Sequence, residues 1–473
     1  MSPVEWIFTA VTLALTLYYL THHVIFASVI IGATVHVARE QRWEDENTQA
    51  LTFSNPLAPG VSVIVPAHNE EAGILQSVQS LLEARYPSLE IVVVDDGSTD
   101  NTAQRLIDAF DLEERYVPTV EESVEQVGRT IETYRSSRHP GLVLLRKESV
   151  GRRSDAVNAA FRLCSKPLVC MIDGDSILEP DALLRVAQPF VDDPMVVAAG
   201  GVVLPSNGST VERGRVVDVK APSTMLERTQ VLEYMRAFLV GRAGWSAANG
   251  LMIISGAFGV FRRDVMAEVG GLDEASLAED ADLVVATHRL LQERHQDYRV
   301  VFVAEPVCWS ETPSTLAVIS RQRRRWSHGL GELLGKFRDM IGRPRYGRLG
   351  VLTMPYFWLY ELWGPVIELI GFAAAIVGIA FGWIAPWVFV VFVAVSFLLS
   401  IAVSLAALLV EVVAFGRYRR LADMAGLALA AVLEPFWFRP LHLWWRVRGL
   451  IASLRGEKAS WGVMTRRGFS ETP

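Results

Sequence analysis

Two aspartates separated by one glycine, Asp173 and Asp175, lie in the segment MIDGDSILEP at residues 171–180. The apolar run 168–172 predicts a strand that ends just before them, and residues i and i+2 at the end of a strand project to the same side. The two carboxylates can therefore share one divalent cation, and hard oxygen ligands favour Mg²⁺ or Mn²⁺. A metal held there can carry a diphosphate, although a solvated Asp-Gly-Asp turn is the alternative interpretation.

A second acidic group, LAEDAD at residues 277–282, precedes a predicted helix that runs to residue 293. Acidic residues at a helix N-terminus commonly cap the helix and interact with its dipole. If the group instead belongs to a site, Asp280 is the best candidate for a general base that accepts the proton of an attacking hydroxyl.

Further carboxylates follow predicted strands. β-Branched runs at residues 61–65 and 91–94 flank a predicted helix at 70–84, which indicates a βαβ unit with a parallel sheet. Ligands of such sheets bind beyond the carboxyl ends of the strands, where carboxylates can accept hydrogen bonds from uracil N3 and ribose hydroxyls. The candidates are Glu70, Asp95 and Asp96. The segment VDDGSTD would equally cap a helix at Ser98 or Asp100.

Three short motifs combine cations, small residues and an aromatic ring. GRRSD at 151–155 opens a predicted helix with Arg152 and Arg153, which suits phosphate or leaves two solvated arginines. SGAFG at 255–259 could let a sugar approach the backbone, or could form a tight turn between strands. QRRRW at 322–326 offers an arginine for a diphosphate and an aromatic face for a sugar ring, and lipid headgroups would explain its arginines as well.

The ends of the chain differ from its middle. Half of the 473 residues are hydrophobic (51%) and the mean hydropathy is +0.27, with apolar residues concentrated at both ends. Residues 6–35 are long enough to cross a bilayer once and are not a cleavable signal peptide; Arg39 and Arg42 after them indicate the cytoplasmic side. The N-terminus should therefore lie outside the cell.

The C-terminal part carries three more apolar segments. Residues 351–383 and 384–415 are each long enough to span, and the basic loop at 417–420 fixes its own side as cytoplasmic. The segment 421–445 is interrupted by Pro435 and Pro440. A re-entrant hairpin, which we favour, would keep the basic tail in the cytoplasm, whereas a plain third span would place it outside.

The remaining features limit the function. Three cysteines without metal spacing indicate buried thiols in a reducing compartment, and the polar stretch 111–140 predicts a surface helix or insertion without chemistry. The region has no P-loop and no complete Rossmann glycine fingerprint, which argues against ATP and against a dinucleotide. The net charge of −7 says little, and we expect no nucleic-acid partner.

The pattern predicts six parts of the chain. They are an N-terminal transmembrane helix (1–38), a linker (39–60), a cytoplasmic α/β domain (61–312), an amphipathic interface helix region with QRRRW (313–348), a C-terminal transmembrane region (349–452) and a basic cytoplasmic tail (453–473). In the interface helix, Trp326, Leu330, Leu333 and Leu334 should share one apolar face.

Taken together, the motifs resemble the inverting family 2 glycosyltransferases with a GT-A catalytic domain, in their membrane-embedded processive branch. Six of them follow in the expected order between residues 61 and 326: VSVIVPAHNEE, VDDGSTD, DGD, SGAFG, ED and QRRRW. The resemblance implies a Rossmann-like, mostly parallel α/β domain beside α-helical transmembrane segments.

The resemblance also implies roles for matching residues. Glu70 and Asp96 would contact the uridine, with Asp95 beside them; Asp173 and Asp175 match the DxD element, with Asp175 the better metal ligand. Asp280 matches the catalytic base of the TED motif. The other substrate-binding candidates are Arg153, Glu279, Gln322, Arg325 and Trp326, of which the last three match QxxRW. The chain departs from the pattern at Ala278 (usually Thr), at Arg153 (often Lys) and at Gly174 in the middle of DxD.

Within this family, the sequence most resembles poly-N-acetylglucosamine, chitin and hyaluronan synthase-like enzymes. It implies an inverting transferase in the cell membrane, with its catalytic domain in the cytoplasm, that extends a β-linked polysaccharide from a UDP-sugar, UDP-N-acetylglucosamine first, with Mg²⁺ or Mn²⁺. Transfer of a single sugar to a lipid-linked acceptor and a non-catalytic secretion component are the alternatives. An accessory secretion subunit is left open.

Overall fold

Ten strands form one mixed sheet at the centre of the computed structural model, which describes residues 3–43 and 58–457. In sheet order the strands are β3 (Leu112–Glu114), β4 (Thr130–Ser136), β5 (Leu142–Lys147), β2 (Leu89–Asp96), β1 (Val61–Ala67), β6 (Leu168–Ile172), β11 (Phe258–Arg262), β8 (Val196–Pro205), β12 (Arg299–Ser310) and β7 (Ser176–Leu178). The pairings make all of them run in one direction except β4, β11 and β7. The mostly parallel α/β domain is thereby confirmed.

The parallel strands are apolar because helices cover both faces of the sheet. Every residue of β6 and of β8 is buried, and in β1 only Pro66 is partly accessible. Near-continuous apolar runs of this kind are typical of strands that are buried on both faces. A separate hairpin, β9 (Thr210–Glu212) and β10 (Arg215–Asp218), lies outside the main sheet.

Helices alternate with these strands and then continue into the apolar C-terminal part. They are α1 (Pro3–Trp43), α2 (Ile74–Leu82), α3 (Thr102–Phe110), α4 (Arg153–Phe161), α5 (Ala182–Asp192), α6 (Met225–Met235), α7 (Ala243–Ala247), α8 (Arg263–Val269), α9 (Glu279–Glu293), α10 (Leu316–Lys336), α11 (Gly364–Ala380), α12 (Pro386–Val410) and α13 (Leu421–Leu454). A π-helical segment, Arg236–Arg242, joins α6 to α7, and another, Glu411–Phe415, extends α12.

Local predictions held where the apolar period was clear and failed at polar segments. The predicted helix at 70–84 is shorter, α2, and buries Ile74, Val78 and Leu81 at the spacing of one helical face. The helix predicted as one possibility for 111–140 is wrong, because this stretch adds to the sheet the edge strand β3 and its neighbour β4. The helix cap expected at Ser98 or Asp100 lies at Asn101, although Asp100 Oδ1 does accept from the N–H of Thr102 at 3.0 Å.

Three helices in the described part of the chain are long and apolar enough to cross a membrane: Trp6–Val37, Pro386–Phe415 and Leu421–Leu454. The predicted span at 351–383 is not one straight helix. It consists of the segments Leu349–Leu362 and Gly364–Ala380, which meet at an angle of 49°. These helices indicate a membrane protein.

The predicted hairpin at 421–445 is wrong, because α13 is one continuous helix despite Pro435 and Pro440. Its second half packs against α10, where Trp445 joins Phe438 and Ile319 in one buried cluster. The apolar face of α10 is therefore covered by protein through Leu333 and Leu334, whereas Trp326, predicted on the same face, is 45% exposed.

Polar contacts tie the α/β domain to the membrane helices. Arg236 of the π-helical segment donates to Glu434 of α13 at 2.7 Å. In the basic loop after α12, Arg417 lies 3.7 Å from Glu179 and Arg420 lies 2.9 Å from Asp218. This loop is thus on the same side as the α/β domain.

Candidate active site at the strand ends

The carboxyl ends of β1, β2 and β6 meet because β1 pairs in parallel with both neighbours. The turn after β6 carries Asp173 and Asp175, and the turn after β1 carries Glu70. Gly174 allows these turns to touch: a Cβ atom there would lie 3.1 Å from Pro66 O and 3.4 Å from Glu70 Cγ. The departure from the family pattern at Gly174 therefore matches a close approach that a larger residue would disturb.

At the end of β2, Asp95 and Asp96 are both buried and both hydrogen-bonded. Asp95 Oδ1 accepts from the N–H of Ser98 at 3.2 Å. Asp96 accepts from Lys147 Nζ at 2.7 Å and from Ser149 Oγ at 3.0 Å, while its carbonyl oxygen contacts His68 Nδ1 at 2.7 Å. The two carboxylates are thus fixed in orientation at the place where a nucleotide was predicted.

Lys147 is a site residue that the sequence reasoning missed. Its side chain is fully buried and lies 2.7 Å from Asp96 and 2.6 Å from Asp155. Asp155 also accepts from the N–H groups of Val127 and Gly128, so the inserted stretch 111–140 covers this ion cluster. The available signal was the apolar run LVLLRK, which ends in a lysine at the same sheet edge as Asp96.

Arg153 connects three motifs of the sequence. Its guanidinium contacts Asp173 Oδ1 at 2.8 Å, Glu279 Oε1 at 2.8 Å and the carbonyl oxygen of Gly256 at 2.8 Å. Burial alone would lower the pKa of Arg153. The carboxylates of Asp173 and Glu279 outweigh that effect, so its pKa lies above the ordinary value. Its partners in this structure are carboxylates and a carbonyl oxygen, so Arg153 is not the solvated arginine of the alternative interpretation.

Glu279 and Asp280, both at the start of α9, have different surroundings. Glu279 is 4% exposed, and burial raises the pKa of its carboxyl although Arg153 opposes the shift. Asp280 is partly exposed and accepts from the N–H of Gly256 at 3.2 Å. Asp280 also accepts from the N–H of Ala281 at 2.8 Å, which fixes one of its oxygens against the helix start.

The residues of the QRRRW motif lie in different surroundings, and only some of them are near the acidic residues. Burial lowers the pKa of Arg325, and the nearby charges of Glu279, Asp280 and Asp173 oppose this shift only in part. Gln322 accepts from Arg323, and Arg323 is buried, donates to Glu233 at 2.6 Å and lies 4.0 Å from the centroid of the Trp326 ring. The structure therefore brings Arg325 to the acidic cluster, whereas Gln322 and Trp326 contact Arg323.

The donor set around the DGD turn is compatible with a divalent cation that also binds substrate. Among the described residues, no group of three or more His, Cys, Asp or Glu side chains could hold a metal ion. Mg²⁺ typically takes one or two carboxylates and completes its shell with substrate phosphates and water. Buried Asp175 and the partly exposed Asp173 fit that requirement.

All three cysteines are buried and unbridged, as predicted. Burial raises the pKa of Cys308, which lies near Asp173 and Asp175. None of the three is therefore a ready thiolate.

Comparison with known proteins identifies the family. The family described as "Glycosyltransferase like family 2" matches residues 59–329, more than half of the chain. A Bacillus subtilis protein described as "Probable glycosyltransferase YdaM" is 25% identical over 64% of this chain and 63% of its own length. A poly-beta-1,6-N-acetyl-D-glucosamine synthase of Staphylococcus epidermidis is 22% identical over 63% of this chain and 60% of its own length.

The matched region thus spans about three-fifths of these relatives. A solved mannosyltransferase, PcManGT from Pyrobaculum calidifontis in complex with GDP-Man and Mn²⁺, is 21% identical and covers 91% of this chain and 99% of its own, with a TM-score of 0.50. This likeness concerns the fold alone. The family match over the segment that holds all six motifs shows that the chain belongs to glycosyltransferase family 2 and is a glycosyltransferase.

Proposed function

We propose that this glycosyltransferase transfers a sugar from a UDP-sugar, UDP-N-acetylglucosamine first, with inversion, and extends a β-linked polysaccharide that it passes across the membrane. The observation that carries the proposal is the contact of Arg153 with both Asp173 and Glu279 at 2.8 Å. This arginine links Asp173, at the predicted diphosphate site, to Glu279, the residue next to the predicted base Asp280. The poly-N-acetylglucosamine synthase among the relatives supports the choice of donor.

The nucleotide would lie across the ends of β1 and β2. Glu70 and Asp96 are buried acceptors there, with Asp95 beside them, and carboxylates suit uracil N3 and ribose hydroxyls. Lys147 and Ser149 hold the Asp96 carboxylate in one orientation, which reduces the cost of ordering it when the base binds.

The reaction needs a base, a leaving-group site and a single displacement. Asp280 would take the proton of the acceptor hydroxyl while that oxygen forms a bond to the anomeric carbon. The bond from the anomeric carbon to the UDP oxygen breaks in the same step, so the configuration inverts. Arg325 would stabilise the charge that develops on the departing diphosphate.

The carboxylates of the DGD turn would suit a divalent cation. Asp175, with Asp173, would hold Mg²⁺ or Mn²⁺, which supplies positive charge to the diphosphate of the donor. Arg153 contacts Oδ1 of Asp173, which supports Asp175 as the principal ligand.

The membrane helices support processive synthesis coupled to passage of the product. The interface helix α10 carries Arg325 and packs on α13, so the leaving-group site is directly attached to an apolar helix. In this arrangement the catalytic domain lies in the cytoplasm at the cell membrane, and the partners are the UDP-sugar, the growing polysaccharide and the lipid bilayer, with no nucleic acid. An accessory secretion subunit is compatible with it.

The test is product formation by the purified protein. The full chain in detergent is incubated with Mg²⁺ or Mn²⁺ and with UDP-N-acetylglucosamine, UDP-glucose or GDP-mannose separately, and the products are sized. We expect long product from UDP-N-acetylglucosamine. Product of one added sugar would favour transfer to a lipid-linked acceptor instead, and release of GDP rather than UDP would contradict the donor assignment.

A further inference from the structure

The loop after membrane helix α12 buries a charged side chain against the α/β domain. The helix ends in the π-helical segment Glu411–Phe415, and the residues on either side of Arg417 have positive φ angles, 66° at Gly416 and 51° at Tyr418. A tyrosine persists in this left-handed region only where its surroundings hold it, and Tyr418 is 1% exposed. The side chain of Arg417 is 12% exposed, although the residue lies in a loop. The loop therefore buries Arg417 at the cost of an unfavourable backbone conformation.

Arg417 connects this membrane helix to the segment that follows the DGD turn. Its Nη1 donates to Oε1 of Glu411 at 2.9 Å, and its Nη2 lies 3.7 Å from Oε1 of Glu179. The guanidinium carbon is also 5.8 Å from the centroid of the Trp309 ring, within the range of a cation–π contact. The fully buried carboxylate of Glu411 keeps Arg417 in place, and Glu179 is then within reach of the second terminal nitrogen.

Glu179 lies at the far end of the strand that begins beside Asp175. Strand β7 comprises Ser176–Leu178, so Asp175 precedes it and Glu179 follows it. The strand has only three residues, lies at the edge of the main sheet and pairs with β12, where Trp309 is opposite Ile177. Trp309 Nε1 also donates to Oε1 of Glu179 at 3.2 Å. Glu179 is therefore fixed by the same strand that holds β7 in the sheet.

The DGD turn is held from two sides. On one side it packs against the turn after β1 through its glycine. On the other side β7 is held within the α/β domain, where the N–H of Leu178 donates to Ser80 Oγ at 3.3 Å, and at its end by the contacts of Glu179. The link between Glu179 and Arg417 extends this second support to a membrane helix.

We propose that Arg417 is a positioning residue for Asp175, which it holds in place for a divalent cation through Glu179 and β7. The inference rests on the proposed function and deepens it, since it assigns part of the cation affinity to a membrane loop outside the six motifs. A carboxylate that must point in one direction to bind a cation gains affinity when its backbone is fixed beforehand. The same link lets a shift of α12 change how the DGD turn binds the cation.

The test measures cation binding directly. Arg417→Met, Arg417→Lys and Glu179→Gln are titrated with Mn²⁺ in the presence of UDP, and free Mn²⁺ is followed by electron paramagnetic resonance. Arg420→Met is the matched control, because Arg420 lies in the same loop but pairs with Asp218 of β10 at 2.9 Å. We expect about tenfold weaker Mn²⁺ binding in Arg417→Met and Glu179→Gln, the lower end of the range for residues that orient metal ligands. Arg417→Lys keeps the charge and should retain part of the affinity, and Arg420→Met should stay within about twofold of wild type.

Activity distinguishes positioning from a general loss of structure. In sugar-transfer assays the KM for Mn²⁺ should rise by the same factor as the dissociation constant, while kcat at saturating Mn²⁺ stays within about twofold. The double variant Arg417→Met/Glu179→Gln should bind Mn²⁺ no more weakly than either single variant, because both changes break the same link. A lower kcat with unchanged Mn²⁺ affinity would show a merely structural role and overturn the assignment.

Glu179→Gln leaves the buried pair of Arg417 with Glu411 intact, so it carries the test if Arg417→Met does not fold. Wild-type Mn²⁺ affinity in Glu179→Gln, or losses that add in the double variant, would overturn the role of Arg417 and leave the proposed function standing. A wild-type protein that binds no Mn²⁺ in the presence of UDP would overturn the proposed cation site, and the role of Arg417 with it.

Discussion

Removing the positive charge of Arg153 should leave the buried carboxylate of Glu279 without its ion-pair partner. In Arg153→Met, Glu279 loses its partner at 2.8 Å while it remains 4% exposed. Burial already raises the pKa of Glu279 above its ordinary value of 4.5, and without Arg153 this pKa rises further. The carboxyl then takes up a proton in the folded state, because a lone buried charge costs more than protonation.

Protonation sets an upper limit to that electrostatic cost. In the unfolded chain the carboxyl of Glu279 ionises at its ordinary pKa of 4.5. Keeping it protonated in the folded chain at pH 7 costs about 1.36 kcal/mol for each of the 2.5 pH units between 4.5 and 7, or about 3.4 kcal/mol. For an acid with a raised folded-state pKa, the cost grows as the pH rises from 4.5 towards 7 and vanishes below 4.5. The fall of the unfolding midpoint at pH 7 should therefore be at most about 7–14 °C, at roughly 2–4 °C per kcal/mol.

The assay is thermal unfolding of the detergent-purified chain at pH 7 and at pH 5, followed by tryptophan fluorescence. The double variant Arg153→Met/Glu279→Gln should regain a large part of the lost midpoint at pH 7, since Gln carries no charge to strand, and Glu279→Gln alone serves as the matched control. A double variant no more stable than Arg153→Met, or a loss that does not shrink at pH 5, would refute the reasoning.

Two further changes test other parts of the structure. Lys147→Met leaves Asp96 and Asp155 as adjacent uncompensated carboxylates, so we expect UDP to bind at least about tenfold more weakly by calorimetry, with exposed Lys220→Met as control; unchanged affinity would contradict the role of Lys147. Burial lowers the pKa of His288 to about 4, and this histidine bonds Tyr298 and Leu251 O. As the pH falls, this histidine therefore becomes protonated near pH 6.5 in the unfolded chain but only near pH 4 in the folded chain. The folded state loses about 3 kcal/mol of stability over this range. His288→Gln should accordingly lose less of its unfolding midpoint between pH 7 and pH 5 than the wild type does, and an equal loss would exclude this origin.

The sequence predicted the parts of the site that depend on strand ends. Apolar runs located β1, β2 and β6, and parallel pairing then brings Glu70, Asp96 and the DGD turn to one edge. It also predicted the start of α9 with Asp280 beside Glu279. These predictions succeed because the apolar period of a strand is a local property and because parallel strands end at the same edge of a sheet.

The partners of the charged residues could not be predicted in this way. The sequence did not indicate the protein partners of Arg153, which are groups 20, 103 and 126 residues away. Lys147 went unnoticed for the same reason, because only the folded chain shows that it is enclosed by two carboxylates. The motif order located the site, and tertiary packing assigned the contacts within it.

Hydropathy predicted where the membrane segments lie, but not where they bend or stay continuous. The bend of 49° at Trp363 lies between a π-helical segment, Phe357–Leu362, and Gly364-Pro365, the kind of site at which helices kink, whereas α13 stays continuous through Pro435 and Pro440. Glu434 illustrates this, since a carboxylate next to a proline looks like an interruption until Arg236 is found 2.7 Å away.

Replacement of the proposed base tests the central claim most directly. Asp280→Asn keeps the size of the side chain but removes its basicity, and the exposed Asp108→Asn is its control. We expect sugar transfer from UDP-N-acetylglucosamine to fall at least about 100-fold in Asp280→Asn, while UDP binding by calorimetry stays within about threefold of wild type. Transfer at the wild-type rate by Asp280→Asn would contradict the account.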